Sequence, residues 1–207
     1  MGRLMARVYD RMMQGSEEAC LREWRRDLLG SVHGNVLEVG AGTGVNLPLY
    51  PTTVGRVVFS EPDRHMRAKL AERIQHAAGS PAEISEGSLE AIPFPDGSFD
   101  FVICMLVLCS VPDQQRSIGE IRRVLVPGGR LVFMEHVAAE KRPDRLKWQR
   151  RFEPLWKRIS GNCHLTRRTE KAILDSGFDM VAIERESMRK ANPLVRTCIR
   201  GHAVKQP

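Results

Sequence analysis

Three glycines close the first strand-like run of the chain. The segment LEVGAGTG, residues 37–44, places them at positions 40, 42 and 44. Glycine lacks a β-carbon and tolerates unusual φ values, so this spacing lets the backbone approach a ligand at the carboxyl edge of an open sheet. Dinucleotide-binding folds use GxGxxG instead and aim a helix N-terminus at a pyrophosphate. The GxGxG spacing therefore favours a cofactor without a pyrophosphate.

An acidic side chain, Glu61, ends the next strand-like run, VGRVVFSEP, and lies 19 residues after Gly42. A carboxylate about 20 residues beyond a glycine turn is well placed to accept hydrogen bonds from two ribose hydroxyls. Taken alone, Glu61 is equally well explained as a surface carboxylate. The glycine turn before it favours the ribose interpretation.

Two further segments complete a pattern that covers residues 36–137. GSLEAIPFPDGSFDFVICMLVL spans residues 87–108, and LVPGGRLVF, residues 125–133, contains a glycine turn into a strand. In order and spacing, the four segments resemble the class I S-adenosylmethionine-dependent methyltransferases. In that family the position of Ser88 is usually an aspartate that accepts from the adenine amino group, and the next backbone amide, here Leu89, faces the ring. Serine is a weaker acceptor, which puts adenine selectivity in question.

The resemblance extends beyond the cofactor half. The run from CMLVLCSVPD to EHVAAE, then Trp148, GNCHLTR and the ending GHAVK resemble methyltransferase-like proteins that methylate alkyl thiols. Ubiquinone and menaquinone methyltransferases share the cofactor motifs but differ in the substrate half. Eukaryotic members of the thiol group carry an N-terminal membrane anchor; this chain starts directly at the YDRMM segment, so an anchor is not expected.

The resemblance implies S-adenosylmethionine as cofactor and assigns roles to particular positions. Tyr9 and Asp10 would fold over the cofactor as a lid. The expected cofactor-binding residues are Glu38, Gly40, Ala41, Gly42, Gly44, Glu61, Pro62, Ser88, Leu89, Met105 and Tyr9.

Catalytic candidates are few. Glu135 and His136 end the fifth strand and are expected to face the cleft, where His136 would take the acceptor's proton or serve only as a hydrogen-bonded strand-end residue. Asn162, Cys163 and His164 form a loop that either covers the pocket or has only a structural role. Trp148 and Trp156 either wall an apolar substrate site or pack an extra helix onto the sheet. Cys104 and Cys109 are interpreted as small buried apolar residues, because no base is placed beside them.

Sulfur is the favoured methyl acceptor. A sulfonium methyl is already activated, so the enzyme contributes mainly alignment. A thiol, with a free pKa of roughly 8.5, needs less base catalysis than a hydroxyl or a carbon acid. Three alternatives remain: C- or O-methylation of a quinone-like metabolite, a nucleic-acid-associated methyltransferase using the basic C-terminal half, and a cofactor-binding protein that has lost catalysis.

Strands alternating with helices position these residues on a doubly wound α/β sheet. We expect a Rossmann-like class I methyltransferase domain with a mostly parallel seven-stranded sheet, an antiparallel C-terminal strand and helices on both faces. One domain, 1–207, is predicted, with an N-terminal lid and helix (1–34), a cofactor-binding half (35–137) and a substrate side (138–207). Ser16 is expected to start a helix that Gly30 ends, and a helix-sized gap separates the first two strands.

Composition fits a globular protein of 207 residues, with 42% hydrophobic and 28% charged residues. No apolar run is long enough for a membrane span, and no signal peptide is evident, so a cytoplasmic location is expected. The five cysteines form no CxxC pair, so neither a disulfide framework nor a metal site is expected. The net charge of +7, concentrated at Arg22, Arg25, Arg26 and residues 141–168, is interpreted as a solvated surface. We therefore expect an apolar small-molecule thiol as partner and no nucleic acid, and leave peripheral membrane contact and the oligomeric state open.

Overall fold

A computed structural model describes residues 3–77 and 82–206 of the chain. The strands are β1 (Gly34–Val39), β2 (Val54–Ser60), β3 (Ala82–Ser85), β4 (Phe99–Met105), β5 (Leu125–His136), β6 (Phe178–Ser187) and β7 (Thr197–Lys205). The helices are α1 (Arg3–Ser16), α2 (Arg22–Leu29), α3 (Arg64–His76), α4 (Gln114–Val124), α5 (Pro143–Ile159) and α6 (Thr169–Asp175).

The strands form one sheet in the order β3-β2-β1-β4-β5-β7-β6. All neighbouring pairs from β3 to β5 are parallel, and β7 runs antiparallel to both β5 and β6. Chain order reverses at β1, so the carboxyl ends of β1 and β4 flank the crevice in which doubly wound sheets bind ligands. The predicted seven-stranded sheet with an antiparallel C-terminal strand is confirmed.

Alternating side chains of the inner strands build two apolar cores, one on each face of the sheet. On one face, Leu37 and Phe133 pack with Ile118 and Ile121 of α4. On the other face, residues next to them in the strands, such as Val36, pack with side chains of α2 and α3, among them Trp24, Leu28 and Leu70. The central strands are covered on both sides, which explains their nearly continuous apolar runs.

The N-terminal helical region differs from the prediction. Ser16 does not start a helix: it has helical φ and ψ, its side chain makes no capping hydrogen bond, and helix α1 already begins at Arg3. A single wide helical turn, Glu17–Leu21, joins α1 to α2. It carries Cys20 and Leu21, which are buried in the core. Burial of these apolar side chains extends the helix through a position where local capping preference favoured a start.

The gap between β1 and β2 is also not a full helix. Only the short turn Leu47–Leu49 is helical there, with Pro48 inside it. By contrast, Asp63 and Asp113 cap α3 and α4 through hydrogen bonds from backbone N–H groups, including that of Met66 to Asp63 and that of Arg116 to Asp113. Within the described ranges, no helix has both the length and the apolar character needed to cross a bilayer.

Candidate functional site

Two adjoining cavities open at the carboxyl ends of β1 and β4. The larger has a volume of about 560 Å³ and the smaller about 280 Å³. Four residues line both cavities: Tyr9, Val39, Gly40 and Gly42. The glycine turn therefore lies at the boundary between the two cavities. Together the cavities fall within the size range of small-molecule and cofactor sites.

The glycines of the turn have different roles. Gly40 has φ +61°, and a β-carbon there would lie 2.4 Å from a methyl of Val107. Gly42 has φ +58°, but a β-carbon there would meet only the Gly40 carbonyl oxygen, at 4.0 Å, because the space beside it belongs to the cleft. Gly44 lines neither cavity; it lets the backbone approach Leu70 of α3. Gly44 therefore packs the turn against α3 and does not face the cleft, contrary to its expected role in cofactor binding.

Glu61 links the turn to the end of β2. One carboxylate oxygen accepts from the Gly42 N–H at 2.8 Å and the other from the Asp63 N–H at 2.9 Å. The side chain is 7% exposed and lines the smaller cavity. Burial raises the pKa of Glu61, while the two backbone donors act to lower it. A carboxylate oxygen has two lone pairs, so Glu61 retains acceptor capacity towards the cavity.

Glu38, on β1, lies in the wall of the larger cavity. Its carboxylate accepts from Tyr50 Oη at 2.5 Å and from Asn46 Nδ2 at 3.0 Å. Arg25 donates to Asn46 Oδ1 at 3.0 Å and forms an ion pair with Glu17. Burial raises the pKa of Glu38 to about 7 despite these partners.

This raised pKa makes Glu38 a source of pH-dependent stability. A raised acid pKa means that stability from the protonated carboxyl is fully present below the ordinary pKa of 4.5 and is lost as pH rises through 7. We expect the unfolding free energy of the wild type to fall relative to Glu38→Gln by on the order of 2–3 kcal/mol over this window. Denaturant unfolding at a series of pH values, without cofactor, measures the difference.

The control for this measurement is Glu83→Gln. The Glu83 carboxylate is exposed, and its ion pair with Arg56 lowers its pKa. The contribution of Glu83 to stability therefore changes below pH 4.5. The difference in unfolding free energy between the wild type and Glu83→Gln is expected to stay constant from pH 4.5 to 7. A flat difference for Glu38→Gln as well would contradict the assignment.

Helix α1 covers the cleft and is tied to the glycine turn. Asp10 accepts from Thr43 Oγ1 at 2.7 Å and from Arg73 Nη2 at 2.7 Å. The Tyr9 ring lies between the two cavities, and burial raises the pKa of its hydroxyl to about 12, so the hydroxyl stays protonated at neutral pH. Tyr9 and Asp10 thus line the cleft, and their role as a lid over the cofactor stays a prediction.

The far end of the smaller cavity is formed by Pro62, Ser88, Leu89 and Glu90. Ser88 pairs with Ala91 in an isolated bridge that shapes this loop. Glu90 Oε1 is buried, and within the described part of the chain it has no hydrogen-bond partner. Glu90, two residues beyond Ser88, is therefore an acidic residue in the wall at this end of the cavity.

Glu135 does not face the cleft. It is fully buried and accepts from the backbone N–H groups of Val107 (2.8 Å), Leu108 (2.9 Å) and Cys109 (3.2 Å). These bonds fix the turn after β4, whose Val107 packs over Gly40. Burial raises the pKa of Glu135 to about 7. Its position is that of a turn-holding residue, contrary to the expected orientation.

His136 also lines neither cavity. Its Nε2 lies 2.9 Å from the sulfur of Cys163, and both residues are buried. The Cys109 thiol is the third member of this group, since its ligand atom and those of His136 and Cys163 all lie within 4.8 Å of one another. A hydrogen bond from Cys109 and the contact with His136 hold the pKa of Cys163 well below its usual range, while that of Cys109 is raised.

The loop and the two tryptophans take separate positions. Asn162 donates to the Ser110 carbonyl oxygen at 2.9 Å, and Gly161 beside it lines the smaller cavity. His164 forms an ion pair with Glu153 at 3.5 Å when protonated. Trp148 is 51% exposed and stacks on Phe152 at the surface of α5, and neither it nor Trp156 lines the two cavities. Trp148 and Trp156 therefore contribute to the wall of neither cavity.

Comparisons with known proteins identify the family. Residues 37–133 match the family described as a methyltransferase domain. The chain is 37% identical over 174 residues to human thiol S-methyltransferase TMT1A, covering 83% of this chain and 70% of that protein. Human TMT1B is 38% identical over 173 residues, covering 82% and 70%. The N-methyltransferase NodS from Bradyrhizobium japonicum WM9, in complex with S-adenosyl-l-homocysteine, superposes with a TM-score of 0.67 at 16% identity, covering 90% of this chain and 87% of that one.

A parallel sheet with a glycine turn and an acidic residue at neighbouring strand ends defines a Rossmann-like cofactor-binding domain. The chain belongs to the class I S-adenosylmethionine-dependent methyltransferases, and S-adenosylmethionine is its cofactor. The cleft fits that group: Gly42 leaves an open space, and the acidic residues Glu61 and Glu90 line the smaller cavity. The motif spacing carried no signal for Asn46, Arg25 or Glu90, because single polar residues in a helix or loop have no spacing that marks a site.

Proposed function

We propose that this methyltransferase transfers the methyl group of S-adenosylmethionine to the sulfur of a hydrophobic thiol. The observation that carries the proposal is the identity of 37% to human thiol S-methyltransferase TMT1A across 83% of the chain. The cleft supports it, because the two predicted catalytic side chains, Glu135 and His136, line neither cavity. A reaction that needs alignment more than proton abstraction suits such a site.

The two cavities divide the cofactor between them. Glu61 would accept from the ribose hydroxyls, and Pro62, Ser88, Leu89 and Glu90 would surround the adenine in the smaller cavity. Glu90 would supply the acidic acceptor for the adenine amino group that serine at position 88 lacks. A buried carboxylate oxygen without a partner is costly, and a ligand donor removes that cost.

The amino-acid end of the cofactor would occupy the larger cavity. Glu38, Ala41 and Met105 line it, and the Glu38 carboxylate would attract a positively charged group of the ligand. Bound S-adenosylmethionine supplies an electrophilic methyl carbon. Tyr9, in contact with both cavities, would exclude water above it and hold the acceptor in line.

The test is methyl transfer from labelled S-adenosylmethionine to pairs of acceptors that differ in one atom. Comparison of an alkyl thiol with the alcohol of the same chain length separates the effect of the sulfur atom from the effect of the apolar chain. A catechol, a quinol and total RNA cover the alternative acceptors. We expect label on the thiol and at least about tenfold less on the matched alcohol, because a thiolate forms far more readily near neutral pH.

Each other result decides against the thiol. Label only on the quinol or catechol would make the chain a C- or O-methyltransferase with the same cofactor site. Label on RNA with a steep salt dependence would assign the basic surface to nucleic acid. Weak cofactor binding without transfer to any acceptor would indicate a cofactor-binding protein that has lost catalysis.

A further inference from the structure

A compact group of buried sulfur and nitrogen atoms lies next to the cofactor cleft. Cys109 follows the turn after β4, His136 ends β5, and Cys163 lies in the loop between α5 and α6. Their exposures are 3%, 4% and 9%. The three ligand atoms all lie within 4.8 Å of one another, and His136 Nε2 is 2.9 Å from the Cys163 sulfur. We propose that Cys109, His136 and Cys163 form a binding site for a thiophilic divalent cation of the zinc class.

The distances match such an ion. With metal–sulfur bonds of about 2.3 Å and metal–nitrogen bonds of about 2.0 Å, tetrahedral ligands lie roughly 3.3–3.8 Å apart. The present spacings bracket that range: His136 Nε2 lies 2.9 Å from the Cys163 sulfur, and no pair of the three ligand atoms is more than 4.8 Å apart. Two thiolates with one imidazole are a ligand set that selects zinc-like ions over magnesium or calcium, which prefer oxygen.

Hydrogen bonds to backbone groups hold the three segments together before any ion binds. The Cys109 N–H donates to Glu135 at 3.2 Å, and the His164 N–H donates to the Cys109 carbonyl oxygen at 2.8 Å. The Asn162 side chain donates to the Ser110 carbonyl oxygen at 2.9 Å. The ligand-bearing segments are thus prearranged, which lowers the cost of bringing the ligands together.

The charges around the group favour a cation. Cys109, Cys163 and Glu135 are potential anions close together in a buried region, and Arg167 interacts electrostatically with all three. A divalent ion would offset the negative charge of two thiolates, which exceeds the single positive charge of Arg167. The Trp156 indole N–H, near Cys163, is buried without a hydrogen-bond partner among the described residues, so a metal-bound thiolate there would give it an acceptor.

Sequence spacing conceals the site. Cys109 and Cys163 each lie 27 residues from His136, whereas common structural zinc sites carry ligands two to five residues apart. Only the fold brings the three residues together. The ion would fasten the loop that carries Gly161, part of the cavity wall, to the sheet.

The experiment is titration of the untagged, fully reduced chain with Co²⁺ and Zn²⁺. We expect one equivalent of Co²⁺ to bind with intense sulfur-to-cobalt charge-transfer bands and the visible bands of tetrahedral cobalt, and Zn²⁺ to displace it. Cys163→Ser should bind at least about tenfold more weakly, while Cys198→Ser, another buried free cysteine, binds like the wild type.

The wild-type spectrum alone keeps the proposal testable if Cys163→Ser does not fold. Octahedral cobalt without charge-transfer bands, or no binding above that of Cys163→Ser, would overturn it. A Cys109–Cys163 disulfide that forms readily in metal-free protein, with zinc giving no protection against it, would also overturn it and would make the pair a redox couple. None of these outcomes depends on which acceptor the enzyme methylates.

Discussion

Replacing Glu61 with alanine is expected to weaken S-adenosylmethionine binding about 10- to 150-fold, which corresponds to roughly 1.5–3 kcal/mol for hydrogen bonds to a charged group. The buried carboxylate already holds the Gly42 and Asp63 N–H groups, so the substitution removes the ribose acceptor and leaves the turn less fixed. Calorimetric titration measures the affinity. Glu83→Ala, an exposed carboxylate on β3, is the control and is expected to bind the cofactor normally.

A cofactor analogue without the 2′-hydroxyl separates the two effects of this variant. The wild type should bind the analogue more weakly than the parent compound, whereas Glu61→Ala should bind both about equally, because its ribose contact is already gone. If both proteins discriminate equally between the two compounds, Glu61 acts only on the turn. If Glu61→Ala binds S-adenosylmethionine with an affinity within about threefold of the wild type, Glu61 is not part of the cofactor site.

The sheet could be predicted from the sequence because its strands are strongly patterned. The apolar end of the segment 87–108 forms β4, which ends at Met105, and the predicted glycine turn lies before the inner part of β5. Buried parallel strands need continuous apolar runs, so local composition and tertiary position agree there. At Ser16 they disagree, and burial of Cys20 and Leu21 outweighs the capping preference.

The site could be predicted from the sequence only where the backbone geometry restricts which residue type a position can hold. Gly40 and Gly42 both have positive φ, which favours glycine, and Glu61 follows Gly42 by 19 residues at the end of the next strand. The direction in which a side chain points does not restrict the residue type, so the sequence does not reveal it. Glu135 ends a strand at the expected edge, yet it turns towards the amides of residues 107–109.

Gly42→Ala is expected to reduce S-adenosylmethionine affinity at least about tenfold while costing only about 1–2 kcal/mol of stability, the strain of an L-residue at left-handed φ. The added methyl group has room in the free protein, since nothing but the Gly40 carbonyl oxygen lies within 4 Å. That room is part of both cavities, so the methyl group occupies space that the bound cofactor needs.

Gly128→Ala is the matched control for this prediction. Gly128 has φ +77°, a β-carbon added there would have nothing within 4 Å, and the residue lies in the turn of β5, outside both cavities. Both variants therefore carry the same kind of backbone strain, and only Gly42→Ala adds a group to the cleft. Thermal unfolding should show similar destabilisation, and calorimetry should show a binding defect for Gly42→Ala alone. Equal affinities for the two variants would place the cofactor elsewhere than against this turn.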